Sequence, residues 1–249
     1  MPSFASYPSL KDRSVFISGG GSGIGASIVE HFAAQGSKVG FVDIDEPASK
    51  AIAAKTGALF IKCDIRDVKA YQAAIGKVAG KHGPITALVN NAARDDRHEL
   101  EDVTPEFFDE RIAVNLRHAF FAIQAVAPGM KKAGGGSIVN FSSISYHTMT
   151  ANLSVYQAAK AATIGMTRGL ARDLGADKIR LNSITPGWIM TQRQIDLWLT
   201  PEAEADLMKA QVLKEKVYPP DIARMALFLA ADDSQLISGQ NFVVDGGRM

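Results

Sequence analysis

The feature that most constrains this chain is the string Ser18-Gly19-Gly20-Gly21-Ser22-Gly23-Ile24-Gly25, because of where it falls. It follows the strand-length apolar run Ser14 to Ser18. It precedes a segment in which Ile24, Ile28 and Phe32 recur every four residues, the stripe of a helix. Glycines between a strand and a helix permit a tight turn and let backbone N–H groups approach a pyrophosphate. The helix N-terminus adds the positive end of its dipole. Gly21 to Ala26 fits the pattern G-x-G-x-x-G/A, and Gly19, Gly23 and Gly25 offer a second dinucleotide-loop spacing. Asp43 ends the next strand, 20 residues after Gly23. A carboxylate there accepts hydrogen bonds from ribose hydroxyls and repels a 2′-phosphate. The loop carries no Arg or Lys, and Ile44 and Asp45 follow Asp43, so NAD is expected rather than NADP.

The rest of the chain alternates in the same way. Lys38 to Val42, Leu59 to Lys62, Ala87 to Val89, Ser137 to Phe141, Ile179 to Ile184 and Phe242 to Val244 read as further strands. Helical patterns fall between most of them, the longest near Val155 to Leu174, and Gly36 stands where a helix end wants a left-handed residue. Apolar strands alternating with helices imply a parallel sheet covered on both faces. The expected fold class is α/β: a single-domain, Rossmann-type doubly wound parallel sheet of about seven strands, occupying 1–249. The stretch 190–216, rich in Gln, Glu, Leu and Met, is expected to form a lid over the site, with a surface helix pair as the plainer alternative.

Composition excludes several classes. The 27 Lys and Arg nearly balance the 26 Asp and Glu, with no basic block, so neither nucleic acid nor an anionic membrane is an expected partner. Cys63 is the single cysteine, so no internal disulfide forms and a reducing compartment is expected. The start lacks the basic and apolar regions of a secretory signal, and no apolar run reaches the roughly 18 residues a spanning helix needs. A cytoplasmic protein without a metal site is the expectation.

The candidate chemistry lies in the middle of the chain. Tyr156 and Lys160 are four residues apart at the start of the longest helical pattern and share a face. An ammonium beside a phenol favours the phenolate. Ser142 and Ser143 follow the strand Ser137 to Phe141, where a hydroxyl can reach a reacting oxygen. Asn115 sits within a helical pattern from Phe107 to Gln124, where a buried amide can free a carbonyl or hold a water.

In that order these motifs resemble the short-chain dehydrogenase/reductase family, from Ser14 to Gly247. The family's T-G-x-x-x-G-x-G is matched by Ser18 to Gly25 with Ser in place of Thr. Its N-N-A-G is matched by Asn90-Asn91-Ala92-Ala93, and its Y-x-x-x-K by Tyr156 and Lys160. The family serine, thirteen residues before the tyrosine, selects Ser143. The resemblance implies a nicotinamide site from Gly19, Gly21, Ser22, Gly23, Ile24, Gly25, Asp43, Ile44, Asp64, Ile65, Asn91 and Ala92. Tyr156, Lys160, Pro186, Gly187, Ile189 and Thr191 complete it. It implies Tyr156 as general base, Lys160 lowering its pKa and binding the nicotinamide ribose, Ser143 steadying the substrate oxygen, and Asn115 holding a relay water. Asp245-Gly246-Gly247 resembles the family's usual ending. A homotetramer is also implied, and the small residues Ala158, Ala159, Ala161, Ala162 and Gly165 permit close helix approach between or within subunits.

For the substrate, three segments are expected to converge: Asp95, Arg97 and His98 after the fourth strand, Tyr146 and His147 after Ser143, and Trp188 and Arg193 after Gly187. Their donors, acceptors and aromatic faces suit a polyhydroxylated molecule. The stretches Asp95 to His98, Glu110 to His118 and Ala125 to Lys132 resemble bacterial sugar 1-dehydrogenases, the D-xylose group especially, although Trp188 departs from it. That resemblance implies a monosaccharide substrate oxidised to its lactone. The alternatives are another secondary alcohol, a 3-oxoacyl substrate, or a non-catalytic nucleotide-binding module.

Overall fold

In the computed structural model, which describes residues 4–249, the apolar runs lie side by side. The strands are β1 (Ser14–Ser18), β2 (Lys38–Asp43), β3 (Leu59–Lys62), β4 (Ala87–Asn90), β5 (Gly136–Phe141), β6 (Ile179–Pro186) and β7 (Asn241–Val244). They form one sheet in the order β3-β2-β1-β4-β5-β6-β7, parallel at every pairing. The helices between them are α1 (Gly23–Ala34), α2 (Glu46–Thr56), α3 (Val68–His82), α4 (Pro105–Ile112), α5 (His118–Lys132) and α6 (Ser154–Leu174). After β6 come α7 (Gln192–Trp198), α8 (Pro201–Ala210) and α9 (Pro219–Ala230).

The two-residue period of a strand divides the core. Val15 and Ile17 face α1 and α9, packing with Ile28, Phe32, Ile222 and Ala226. Phe16, between them, faces the opposite layer of Tyr71, Ile75, Val78 and Ile123 on α3 and α5. Val15, Phe16 and Ile17 are wholly buried, each stabilising the fold by about 1.5–3 kcal/mol relative to exposure. A strand covered on both faces has no polar alternation to show, which is why β1 reads as an unbroken apolar run.

Side-chain caps fix several helix starts. Asp45, Asp67, Thr104, Thr191 and Thr200 each accept a backbone N–H in the first turn of α2, α3, α4, α7 and α8. The helix expected from Phe107 to Gln124 is interrupted: a π-helical turn, Ala113–Arg117, separates α4 from α5 and contains Asn115. Such a turn shifts the ladder by one residue and is frequent at functional sites. The chain order reverses between β1 and β4, and the C-terminal ends of these strands open onto a crevice. No helix among the described residues is long and apolar enough to cross a membrane.

Candidate active site

A cavity of about 720 Å³ occupies that crevice, running from the ends of β2 and β3 to α7. One half is built by the glycine loop. Gly19 and Gly23 adopt φ of +71° and +54°, the left-handed region open to glycine. A Cβ on Gly25 would stand 1.7 Å from the Gly19 carbonyl oxygen, so that position admits no side chain. Ser22, the N-cap of α1, makes no side-chain cap, so the first N–H groups of α1 keep their capacity for an anion. A nicotinamide dinucleotide's pyrophosphate fits this cradle.

The wall around it comes from Ser22, Gly23, Ile24, Asp43, Ile44, Asp64, Ile65, Asn91, Ala92, Pro186, Gly187, Ile189 and Thr191. Gly21 is not in the wall: its N–H donates to Asp43 Oδ2 at 2.8 Å, so it ties the loop to β2. Asn91 ties the same loop to β4, its Nδ2 donating to the carbonyls of Ser18 and Gly19 at 3.1 and 3.0 Å. Thr191 caps α7 through Oγ1, which accepts from Gln194 N at 3.3 Å. Sequence reasoning missed Arg66 here. Its guanidinium grips Asp64, holding that carboxyl below its ordinary range, and reaches Glu110 at 2.6 Å.

At the other end, β5 and α6 bring Ser143, Tyr156 and Lys160 to one wall. Both adjacent serines line the cavity, but Ser142 is buried and its hydroxyl is engaged with the Lys160 carbonyl at 2.8 Å, whereas Ser143 is partly exposed. Lys160 is buried, lies 5.6 Å from the centre of the Tyr156 ring, and donates to the Phe141 carbonyl at 2.9 Å. Burial lowers its pKa to about 8, opposed by Asp95. Burial, and then Asp95, push the Tyr156 phenol above its ordinary value, against Ser143 and Arg97. Among the groups that act on the phenol, Ser143 and Arg97 favour the phenolate. His118, unassigned from sequence, lies fully buried and is held neutral at about 3 by burial and by Lys160.

Asn115 is buried in the π-helical turn. It stands outside the cavity wall, and its side chain is engaged with Arg94, accepting from N–H at 2.9 Å and donating to C=O at 3.0 Å. Through these two bonds its side chain clamps the loop after β4.

The three substrate segments converge only in part. Asp95, Arg97, Trp188 and Arg193 line the cavity. Tyr146 and His147 do not: the single 3-10 turn Ile144–Tyr146 brings Ile144 and Ser145 inward, and the two rings lie against each other at 4.0 Å outside the wall. His98 is also outside, bonded to Ser154 Oγ at 3.1 Å and packed on Phe107. Sequence reasoning missed Gln194 and Trp198. Their i, i+4 spacing within 190–216 was the available signal, since it puts both on one face of α7. Gln194 accepts from Trp188 Nε1 at 2.9 Å and donates to Asp95 at 2.8 Å.

A glycine cradle at a strand-order reversal, with Ser, Tyr and Lys on the facing wall, invites comparison with known proteins. A family profile described as "Enoyl-(Acyl carrier protein) reductase" matches residues 19–248. The chain belongs to the short-chain dehydrogenase/reductase family. This short-chain dehydrogenase/reductase is 50% identical over 247 residues to a probable galactose dehydrogenase of Rhizobium meliloti, covering 97% of this chain and 96% of the relative. It is 47% identical over 250 residues to the D-xylose 1-dehydrogenase of Caulobacter vibrioides, covering 98% and 99%. Among solved structures, a blue fluorescent protein from a metagenomic library in complex with NADPH superposes with a TM-score of 0.89 at 33% identity, covering 96% and 99%. The chain is thus an oxidoreductase of a family that uses a nicotinamide cofactor.

Proposed function

We propose that this short-chain dehydrogenase/reductase oxidises the anomeric hydroxyl of an aldose to the lactone, with NAD as hydride acceptor. The observation that carries the reading is the polar setting of Tyr156: Asp95 and Arg97, opposite in charge, both line the cavity and both act on the phenol. Such a wall suits a substrate with several hydroxyls and penalises a long apolar one. The sugar dehydrogenases named above support the same substrate class.

NAD is favoured by the charges near Asp43. Its carboxylate stands at the end of β2, and the neighbouring cations are already paired: Arg66 with Asp64 and Glu110, Lys50 and Lys62 with Glu46. Among the described residues, none of these three is left unpaired for a 2′-phosphate. A bound nicotinamide would supply the hydride acceptor for the anomeric carbon. Tyr156 takes the hydroxyl proton as the carbon–oxygen double bond forms. Ser143 steadies that oxygen, and Lys160 holds the cofactor ribose and keeps positive charge beneath the phenol. Asn115 acts by fixing the Arg94 backbone, and so the Asp95 to Arg97 segment.

The lid expected at 190–216 narrows to α7. The stretch leaves and rejoins the fold at one place, where Ile189 bridges Val217 and Met190 N donates to Val217 O at 2.9 Å. Its second half is anchored through Leu207 and through Leu213 N, which donates to Gly246 O at 2.9 Å. α7 buries no residue fully and is held by Arg193 and Gln194 against Asp95, an arrangement suited to opening and closing. A cytoplasmic homotetramer completes the reading. Ala158, Ala161, Ala162 and Gly165 leave an exposed small-residue face on α6, while Ala159 packs inward. Incubation with NAD and aldoses, with hydroxylamine to trap the product, tests the reaction: a hydroxamate formed in step with NAD reduction supports it, and reduction without a trapped lactone contradicts it.

A further inference from the structure

Two hydrogen-bond donors in the substrate half of the cavity have no acceptor. Arg97 lies in the loop after β4, and Trp198 ends α7; both line the cavity. The Arg97 guanidinium carbon stacks 4.8 Å from the centre of the Trp198 ring. Arg97 Nε and Trp198 Nε1 are buried, and neither finds a partner. One terminal nitrogen of Arg97 donates to the Ala151 carbonyl at 3.3 Å. Among the described residues no carboxylate lies within ion-pair distance of Arg97, whereas Arg94, Arg111 and Arg193 each pair with Asp95 or Asp96. Arg97 is thus a half-buried cation with no carboxylate partner among the described residues.

Buried donors without acceptors are rare and call for a reason. Here the reason is supplied by position. The two groups come from separate elements, the loop after β4 and α7, and meet in the wall of the cavity that also holds Tyr156. A site built to donate hydrogen bonds to a substrate rejects analogues that lack the matching oxygen.

Resting on the aldose reading, we propose that Arg97 and Trp198 together form the subsite for the sugar hydroxyls remote from the anomeric carbon. The guanidinium and indole N–H groups donate to hydroxyl oxygens, and the flat indole lies along the sugar's C–H surface. Both nitrogens are covered in the closed arrangement, so a sugar engages them by turning the stacked pair as it enters. Occupancy then fastens α7 to the loop after β4 beside the existing bond from Gln194 to Asp95. The pair sets sugar specificity and lid closure together.

The test compares the unaltered protein with Trp198→Phe, which keeps a ring and removes the N–H, and Arg97→Lys, which keeps the charge and removes Nε–H and the planar stack. The substrates are the best aldose and its single-deoxy analogues. KM for the aldose is expected to rise about tenfold in each variant, with NADH affinity (by nucleotide fluorescence) little changed in both and kcat little changed in Trp198→Phe. The double variant is expected to lose less than the product of the two, because the groups act on one ligand. One deoxy analogue, poor for the unaltered protein, becomes as good as the parent sugar for the variants. Unchanged KM in both variants overturns the assignment, as does a rise in KM with a parallel loss of NADH binding. If the unaltered protein turns over no aldose, the aldose reading falls and this subsite with it; aldose turnover that ignores both substitutions overturns the subsite alone.

Discussion

Asn115 holds Arg94 by both backbone groups, N–H to Oδ1 at 2.9 Å and C=O to Nδ2 at 3.0 Å, so a residue in a π-helical turn fixes the loop that carries Asp95 and Arg97. Asn115→Ala leaves two backbone groups of a partly buried loop unpaired. It is expected to lower the melting temperature by a loss of about 1–3 kcal/mol. Slackening of the loop is expected to cut kcat/KM by about a hundredfold. Thermal unfolding and steady-state kinetics measure both, and a variant with normal activity would show that the clamp does not position the site.

Lys160→Met separates stability from function. Burial takes the amine's pKa from 10.5 to about 8, so below about 8 its charge burdens the folded state. A buried lysine with a depressed folded pKa is most costly below that value, and the burden lifts as pH rises from about 8 towards 10.5. The variant is therefore expected to be more stable than the parent at neutral pH, by about 3 kcal/mol at most, with the advantage fading at alkaline pH. Its turnover is expected to be lost. Denaturant titrations across pH check the sign: an advantage that grows with pH contradicts it.

The sheet was legible because β1, β2 and β4 are buried on both faces and carry runs of apolar residues no helix stripe explains. The structure extends β6 to Pro186, since β7 pairs with it through Thr185 and Pro186, a contact with a strand some 56 residues away that local pattern does not carry. The π-helical turn at Ala113–Arg117 was invisible because one extra residue in the ladder leaves the apolar spacing almost unchanged. In the site, Gly19 and Asp43 follow from their places between strand and helix, whereas Tyr156 and Lys160 follow from a shared helix face taken together with the order of the other motifs and the family resemblance they carry. Tyr146, His147 and His98 were misplaced because adjacency to a site residue does not fix direction in an irregular turn. Gln194 and Trp198 were missed because α7 reaches the cavity through bonds to Asp95 and Arg97, far away in sequence.

Asp43 has two tasks, receiving Gly21 N–H at 2.8 Å and presenting carboxylate charge at the end of β2. Asp43→Ser removes the repulsion of a 2′-phosphate while keeping a small acceptor. The preference for NAD over NADP, taken as the ratio of kcat/KM values, is expected to fall by tenfold or more, about the effect of one desolvated charge. An unchanged ratio would place cofactor selection elsewhere.

Gln194→Ala cuts the link between α7, Trp188 and Asp95. With the lid less firmly held, NADH is expected to leave several-fold faster and KM for the sugar to rise, while the melting temperature stays near that of the parent because α7 contributes no fully buried residue. Stopped-flow release of NADH decides it; a release rate equal to the parent's means that α7 does not gate the site.

The central claim is that Tyr156 abstracts a proton from an aldose as hydride passes to NAD. The most direct measurement is reduced-nicotinamide absorbance with NAD and with NADP, against D-xylose, L-arabinose, D-galactose, L-fucose and simple secondary alcohols, for the parent and for Tyr156→Phe. The account predicts strong NAD reduction with one or two aldoses, and its near abolition in a variant that still binds NADH. Turnover of simple alcohols alone, or a Tyr156→Phe protein that keeps the parent's rate with a sugar, would contradict it.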